Sequence, residues 1–403
     1  MVSEQLFWII SGCLLAAYLL SLTGIPVYLR RESLAGDALS HAIFPGVVLA
    51  VWISGENNSW LTYLFGVLVG SLALFLIQSI HQKTLIPKDG ATGIVLILFF
   101  SVGLLFMGRL QRSGVPLWGV QHVLLGKAAT LLPSDLIALA ILSVVGSILF
   151  FYFQKWLWLE AFDSKFAKHS GLPKNTYGLF LNAWTALVLT ATIQILGAVL
   201  SAAMLITPSA LGHFLSHNPK KLILISVLSA CTAAVLAGFI SASVPAMSTG
   251  ALTVILLFLL AFPFFLFHPK KGILMKWIAR KKEAGRWKDE NTLKQFYNPA
   301  NVHLETGLNP SIKRLLKNRL IQPNNNGSWE LSPKGVLEAE RIVRKHRLWE
   351  TFLHNRLLIP QDSVHENAEL MEHLLDDDAE ERLSVELNNP GADPHQSPIP
   401  PKK

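Results

Sequence analysis

Asp37 and His41 stand four residues apart inside an otherwise apolar stretch, so on a helix they share one face and can hold one cation between them. An ionisable pair in or near a bilayer is costly and usually faces a polar pathway. Carboxylate plus imidazole suits borderline-hard divalent ions, Mn²⁺, Fe²⁺ or Zn²⁺. The same pair could instead cap a helix at a cytoplasmic surface.

A second set of donors lies far along the chain. Of 13 histidines, seven follow Pro263, and three of these sit with acids at helical spacing. His346 and Glu350 are one turn apart; His365, Glu369 and either Glu372 or His373 fall on adjoining faces. Oxygen and nitrogen donors without thiolate point to Mn²⁺ or Fe²⁺ more than to structural zinc. Charges on an amphipathic helix are also commonly a solvated face, and the spacing alone leaves both readings open. The two cysteines, Cys13 and Cys231, lie in apolar runs and build neither a disulfide framework nor a thiolate site.

The elements that carry these residues differ in kind. Up to Phe267 there are 13 Lys+Arg and 8 Asp+Glu, whereas the remaining 136 residues hold 22 and 19. Apolar runs near 6–29, 36–54, 60–80, 91–109, 134–153, 177–197, 198–215, 221–241 and 247–267 have the length of membrane-crossing helices. A break at Gly197 leaves eight or nine spans. The first run is too long for a signal-peptide core and is expected to be retained. Basic residues in the short loops divide ten to three in a nine-span arrangement, which places the N-terminus outside and the tail in the cytoplasm.

Residues 268–290 form a basic juxtamembrane linker facing anionic headgroups. An amphipathic helix over Asn309–Leu320, a turn at Pro323–Gly327, a strand at Trp329–Leu331 and a helix capped by Ser332 outline a winged helix over 291–336. Metal-binding and dimerisation helices occupy 337–390, and 391–403 is a Pro-rich tail. The expected fold is an all-α polytopic membrane protein with a C-terminal, mostly α, winged-helix-like domain that carries the second donor set.

Gly36-Asp-Ala-Leu-Ser-His-Ala-Ile-Phe-Pro-Gly46 resembles the signature of the permease subunits of bacterial zinc, manganese and iron ABC importers. Phe162-Asp-Ser-Lys-Phe-Ala167 with Gly171, Gly197-Ala-Val-Leu with Ile206-Thr-Pro-Ser-Ala210, and Ser248-Thr-Gly-Ala are similar to further motifs of that family, over residues 1–272. The resemblance implies a dimer of permeases in the bacterial inner membrane, a separate cytoplasmic ATPase and an extracytoplasmic metal-delivering solute-binding protein. The loop with Phe162, Asp163, Ala167 and Gly171 is then the candidate ATPase-docking element. Gly119 to Ala128 superficially suggests a phosphate loop, but six residues separate Gly119 from Gly126 and no Ser/Thr follows Lys127. ATP hydrolysis is therefore expected in a partner, and this chain is not an enzyme.

From Leu331 through Glu350, and again through His373, the tail resembles the diphtheria-toxin-repressor and manganese-transport-regulator family. Carried over by position, His346, Glu369, Glu372 and His373 match the ligands of the main site, while Glu350 and His365 match an ancillary one. Glu369 stands where iron-type members have cysteine, which favours manganese-type chemistry. The DNA-reading half departs from the family: the stretch from Asn291 to Pro310 is short for two helices, and only Asp289 and Glu290 stand near the usual N-terminal ligands. Ser311, Lys313, Arg314 and Lys317 are candidate DNA contacts or the solvated side of a structural helix. Two alternatives stand beside an importer subunit with a metal-responsive tail: a membrane-tethered or released metal-dependent repressor, and a transporter that needs no ATPase.

Overall fold

The computed structural model describes residues 2–32, 34–54, 59–112, 133–163, 166, 169, 174–244, 249–297, 309–324 and 329–402. It divides into two compact units, Met1–Gly272 and Ile273–Lys403.

The first unit is helical: α1 (Val2–Leu29), α2 (Ala35–Ala42), α3 (Phe44–Ser54), α4 (Ser59–Lys83), α5 (Lys88–Arg112), α6 (Pro133–Phe162), α7 (Lys174–Leu196), α8 (Ala198–Leu215), α9 (Pro219–Ser243) and α10 (Thr249–Phe267). Among the described residues eight segments are long and apolar enough to cross a bilayer, with α2 and α3 together forming one of them. Hydroxyls within these helices close onto their own preceding turns: Ser40 donates to the Gly36 carbonyl, Thr185 to Leu181 and Thr190 to Ala186. No polar hydrogen of these side chains then needs water.

The expected span over 36–54 is interrupted at Ile43, because Pro45 lacks an N–H and the ladder must restart. Gly197, at φ 87°, separates α7 from α8 and takes a backbone conformation that favours glycine. Neighbours fix the direction of the two helices. A side chain at Gly178, near the start of α7, would meet the Arg30 guanidinium, and His213, near the end of α8, packs against Tyr28. Arg30 and Tyr28 mark one end of α1, so the chain reverses at Gly197 and α8 returns to the side from which α7 set out. At about 1.5 Å per residue α8 covers about 27 Å, close to a hydrocarbon core. Among the described residues it is a shorter apolar helix beside those eight.

The second unit begins with α11 (Ile273–Tyr297), followed by α12 (Pro310–Lys317), a hairpin of β1 (Ile321–Pro323) and β2 (Trp329–Leu331), then α13 (Pro333–Leu357), α14 (Gln361–Met371), a 3₁₀ turn (Glu372–Leu374) and α15 (Asp377–Glu386). The strands pair antiparallel, Ile321 opposite Leu331 and Pro323 opposite Trp329. Leu293 of α11, Ile312 and Leu315 of α12, Ile321 and Ile342 form one small core. The basic stretch expected to be a linker ending at 290 is thus a helix that runs on to Tyr297, because Leu293 and Phe296 give its last turns an apolar face to bury.

Asn309 and Ser332 cap α12 and α13 by accepting from the Ile312 and Gly335 amides, each with proline at the first helical position. Gly335 lies so close to the preceding turn that a Cβ there would stand 1.8 Å from the Leu320 carbonyl oxygen. Gly335→Ala should therefore destabilise the tail by roughly 1–3 kcal/mol or more, as overpacking against backbone does. A lower temperature for the tail's unfolding transition in the full chain checks this; an unchanged one contradicts it.

Candidate metal centres

α13 is amphipathic, and its buried stripe carries His346 and Glu350 inward on successive turns. α14 lays His365 across them. His346 Nε2 is 3.0 Å from Glu350 Oε1 and 3.0 Å from His365 Nδ1, and the His365 nitrogen is 2.8 Å from the same carboxylate oxygen. Among the described residues this is the one place where three such donors gather, all within 4.8 Å. Two imidazole nitrogens and a carboxylate oxygen suit a divalent first-row cation, so the residues fit a metal. His346 and Glu350 are buried, His365 is exposed, and the three face a cavity of about 800 Å³ that the Pro398–Pro401 segment helps to wall.

The other ring nitrogen of His346, Nδ1, meets the buried Glu372 carboxylate. A ligating histidine is commonly oriented in this way by a carboxylate on its second nitrogen. The geometry therefore groups His346 with Glu350 and His365, the pair matched to the ancillary site, rather than with Glu369 and His373. Glu372 and His373 sit in the 3₁₀ turn, which Lys345 fastens to α13 by donating to the Leu375 carbonyl at 2.6 Å.

Protonation follows from these contacts. Burial pushes the Glu350 carboxyl up, but hydrogen bonds and charge from His346 and His365 outweigh it and bring the group down to about 2. Burial likewise opposes ionisation of Glu372, and His346, with Lys294 added, holds it below the usual carboxylate range. For His346 burial favours the neutral ring, yet the two carboxylates win and raise its pKa.

α11 contributes residues that spacing did not single out. Lys294 donates to both Glu372 oxygens at 3.0 and 3.2 Å, Glu290 meets His373 Nδ1, and Trp287 stacks on the His373 ring with centroids 5.3 Å apart. Glu290 was legible as a candidate by its position before the winged region. Lys294 was not, since a lysine on a charged helix reads as solvated.

The candidate DNA contacts divide. Ser311 is buried, and Arg314 pairs with Asp289 through two bonds of 2.8 Å. Lys313 and Lys317 remain exposed.

In the first unit, Asp37 Oδ1 and His41 Nε2 lie 3.5 Å apart on α2, on the one face their spacing requires. The His41 ring meets Phe100 edge-on. No third Asp, Glu, Cys or His joins them among the described residues. Phe162 is exposed, and Asp163 accepts from the Phe166 amide; Ala167, Gly171 and the Gly119–Ala128 segment lie outside the described residues. Beside this loop a groove of about 520 Å³ is lined by Arg30, Glu32, Lys88, Glu160 and Phe162, in which Arg30 lies 3.7 Å from Glu160 and Lys88 binds Glu32.

A multi-pass helical bundle followed by a helical metal-binding unit defines a transport permease with a regulator-type tail. Residues 3–268 match the model of the ABC 3 transport family, and the chain belongs to it. Residues 332–401 match the metal binding and dimerisation domain of iron dependent repressors. The chain is 30% identical over 366 residues to the manganese transport system membrane protein MntC of Bacillus subtilis, covering 86% of this chain and 83% of that one. It is 30% identical over 262 residues to the zinc transport system membrane protein TroC of Treponema pallidum, covering 65% and 88%. The solved structure of PsaBC from Streptococcus pneumoniae in complex with Fab aligns with a TM-score of 0.57 at 27% identity, over 70% of this chain and all of that one.

Proposed function

We propose that the chain is the membrane-spanning subunit of an importer for a divalent metal cation, Mn²⁺ before Zn²⁺ or Fe²⁺. The observation that carries this reading is the His346/Glu350/His365 triad in a chain whose first 268 residues belong to a transport family. Two copies, or this subunit and a second permease, form the pathway. A cytoplasmic ATPase docks at the loop around Phe162 and Asp163, and an extracytoplasmic solute-binding protein delivers the ion. Asp37 and His41 meet the cargo in the membrane. The tail lies in the cytoplasm and restrains transport when the metal it senses is bound, by linkage between its occupancy and the permease conformations.

Regulation in place is favoured over DNA binding because Ser311 is buried and Arg314 is paired with Asp289. The test is ⁵⁴Mn uptake in cells that lack their own importer and express this chain with its ATPase. The Asp37→Ala, His41→Ala double substitution should cut uptake by at least about tenfold, as loss of a cation's partners does. Omission of the ATPase should abolish it. Uptake that survives the double substitution overturns the pathway role, and Mn²⁺ flux in liposomes without ATPase overturns the assignment as an importer subunit.

A further inference from the structure

The tail holds a second group of metal-type donors, Glu369, Glu372 and His373, and the chain has filled it with its own cations. Lys294 Nζ lies 3.0 Å from one oxygen of Glu372, whose side chain is 0% exposed, and 3.8 Å from Glu369 Oε1. The Glu369 and Glu372 carboxylates thus share one ammonium. One turn back along α11, Glu290 takes the His373 Nδ1 position, and Arg286 binds both Glu290, at 3.1 Å, and the His373 carbonyl, at 3.2 Å.

A divalent ion cannot enter between Glu369 and Glu372 while an ammonium stands there. Two like charges a few ångströms apart in a partly buried place repel strongly. A lysine, unlike water, cannot leave by diffusion: it is tethered through α11, whose Leu293 is buried in the tail core. Displacement would also uncover the Glu372 carboxylate, which has no access to solvent.

We infer that Lys294 is a tethered cation that occupies the Glu369/Glu372/His373 group in place of a metal, so the tail takes its ion only at His346, Glu350 and His365. This rests on the metal-binding reading of the tail. It gives Glu372 a different task from that of a ligand. Held by Lys294 on one side, it receives His346 Nδ1 on the other, and so fixes which ring nitrogen faces the bound ion. Glu372 is a positioning residue. Through it, the ligand His346 is joined to α11, the helix that begins directly after Gly272.

The test counts Mn²⁺ bound per full-length chain in detergent, by equilibrium dialysis against MnCl₂ and elemental analysis. The parent and Glu369→Gln should bind the same number. Lys294→Met should bind one ion more, Glu369→Gln in that background should remove the extra ion, and Lys294→Arg, which keeps the cation, should match the parent. Loss of an ion on Glu369→Gln in the parent overturns the inference, because the second group would then already be loaded. So does a Lys294→Met chain that keeps the parent melting temperature and gains no ion. His346→Ala should lose one ion from the parent count; if it loses none, the metal-binding reading itself fails, whatever the Lys294 variants do.

Discussion

Substitution of Gly24 by valine should remove metal uptake and leave little monodisperse protein in detergent. A Cβ at this position would stand 1.6 Å from the Leu205 carbonyl oxygen and 2.7 Å from its carbon, so α1 and α8 touch backbone to backbone. Small residues permit this approach in a bilayer, where apolar surface alone does not drive helices together. Overpacking an ordinary core costs about 1–3 kcal/mol because side chains can yield, and here a main chain would have to move. The damage spreads because α8 lies on α2 as well as on α1: Gly36, beside Asp37, has Leu205 and Ala202 as its neighbours. Gly24→Ala should be impaired and Gly24→Val inactive, read by uptake and by size-exclusion profile. A Gly24→Val chain that transports at the parent rate would mean that the crossing is not built this way.

Much of the bundle is legible in the sequence because lipid allows so few solutions. An apolar run of the right length has to be a helix, and Gly197 between two such runs has to be a break. That the break reverses the chain is not a local property. It follows from which side chains meet, Tyr28 with His213 and Arg30 beside Gly178, and no periodicity encodes those meetings. The interruption at Ile43 could be read from Pro45, yet hydropathy runs smoothly through it and hides it.

The tail divides in the same way. Ser332-Pro333 and Asn309-Pro310 announce their helices by local chemistry. The i, i+4 spacing of His346 and Glu350 is a helical fact and survives intact. The assignment of His346 to one donor group or the other depends on where α14 and the 3₁₀ turn place His365 and Glu372, which is tertiary. α11 is the element read least well, because lysines and arginines dominate its length and the few apolar side chains that bury it come only in the last turns. For the same reason nothing in the sequence singles out Lys294, although it is the residue that holds Glu372.

Metal affinity of the tail should rise with pH, by about tenfold per unit until His346 has lost its proton. His346 is raised above its ordinary 6.5 by Glu350 and Glu372 against the opposing effect of burial. In the metal-free tail it therefore keeps its proton to higher pH than a free imidazole does, and that proton has to leave before Nε2 can ligate. Glu350, brought down to about 2, is ionised throughout the accessible range and contributes no slope. The two groups act oppositely on stability without metal. A raised histidine stabilises fully below 6.5 and loses that contribution as pH rises through its folded value. A depressed carboxylate stabilises above 4.5 and loses it as pH falls toward about 2. The metal-free network is thus tightest between about 4.5 and 6.5, and above that range the bound cation takes over the charge that the imidazolium supplied. Titration of the full chain with Mn²⁺ at pH 6, 7 and 8, with Asp37 and His41 replaced, should give an affinity that climbs with pH and proton release on binding. His346→Ala should weaken binding by at least about 10–100-fold and flatten the slope. A parent affinity independent of pH would mean that the ion does not replace a proton on His346, and that the triad is an ion-paired network without a metal.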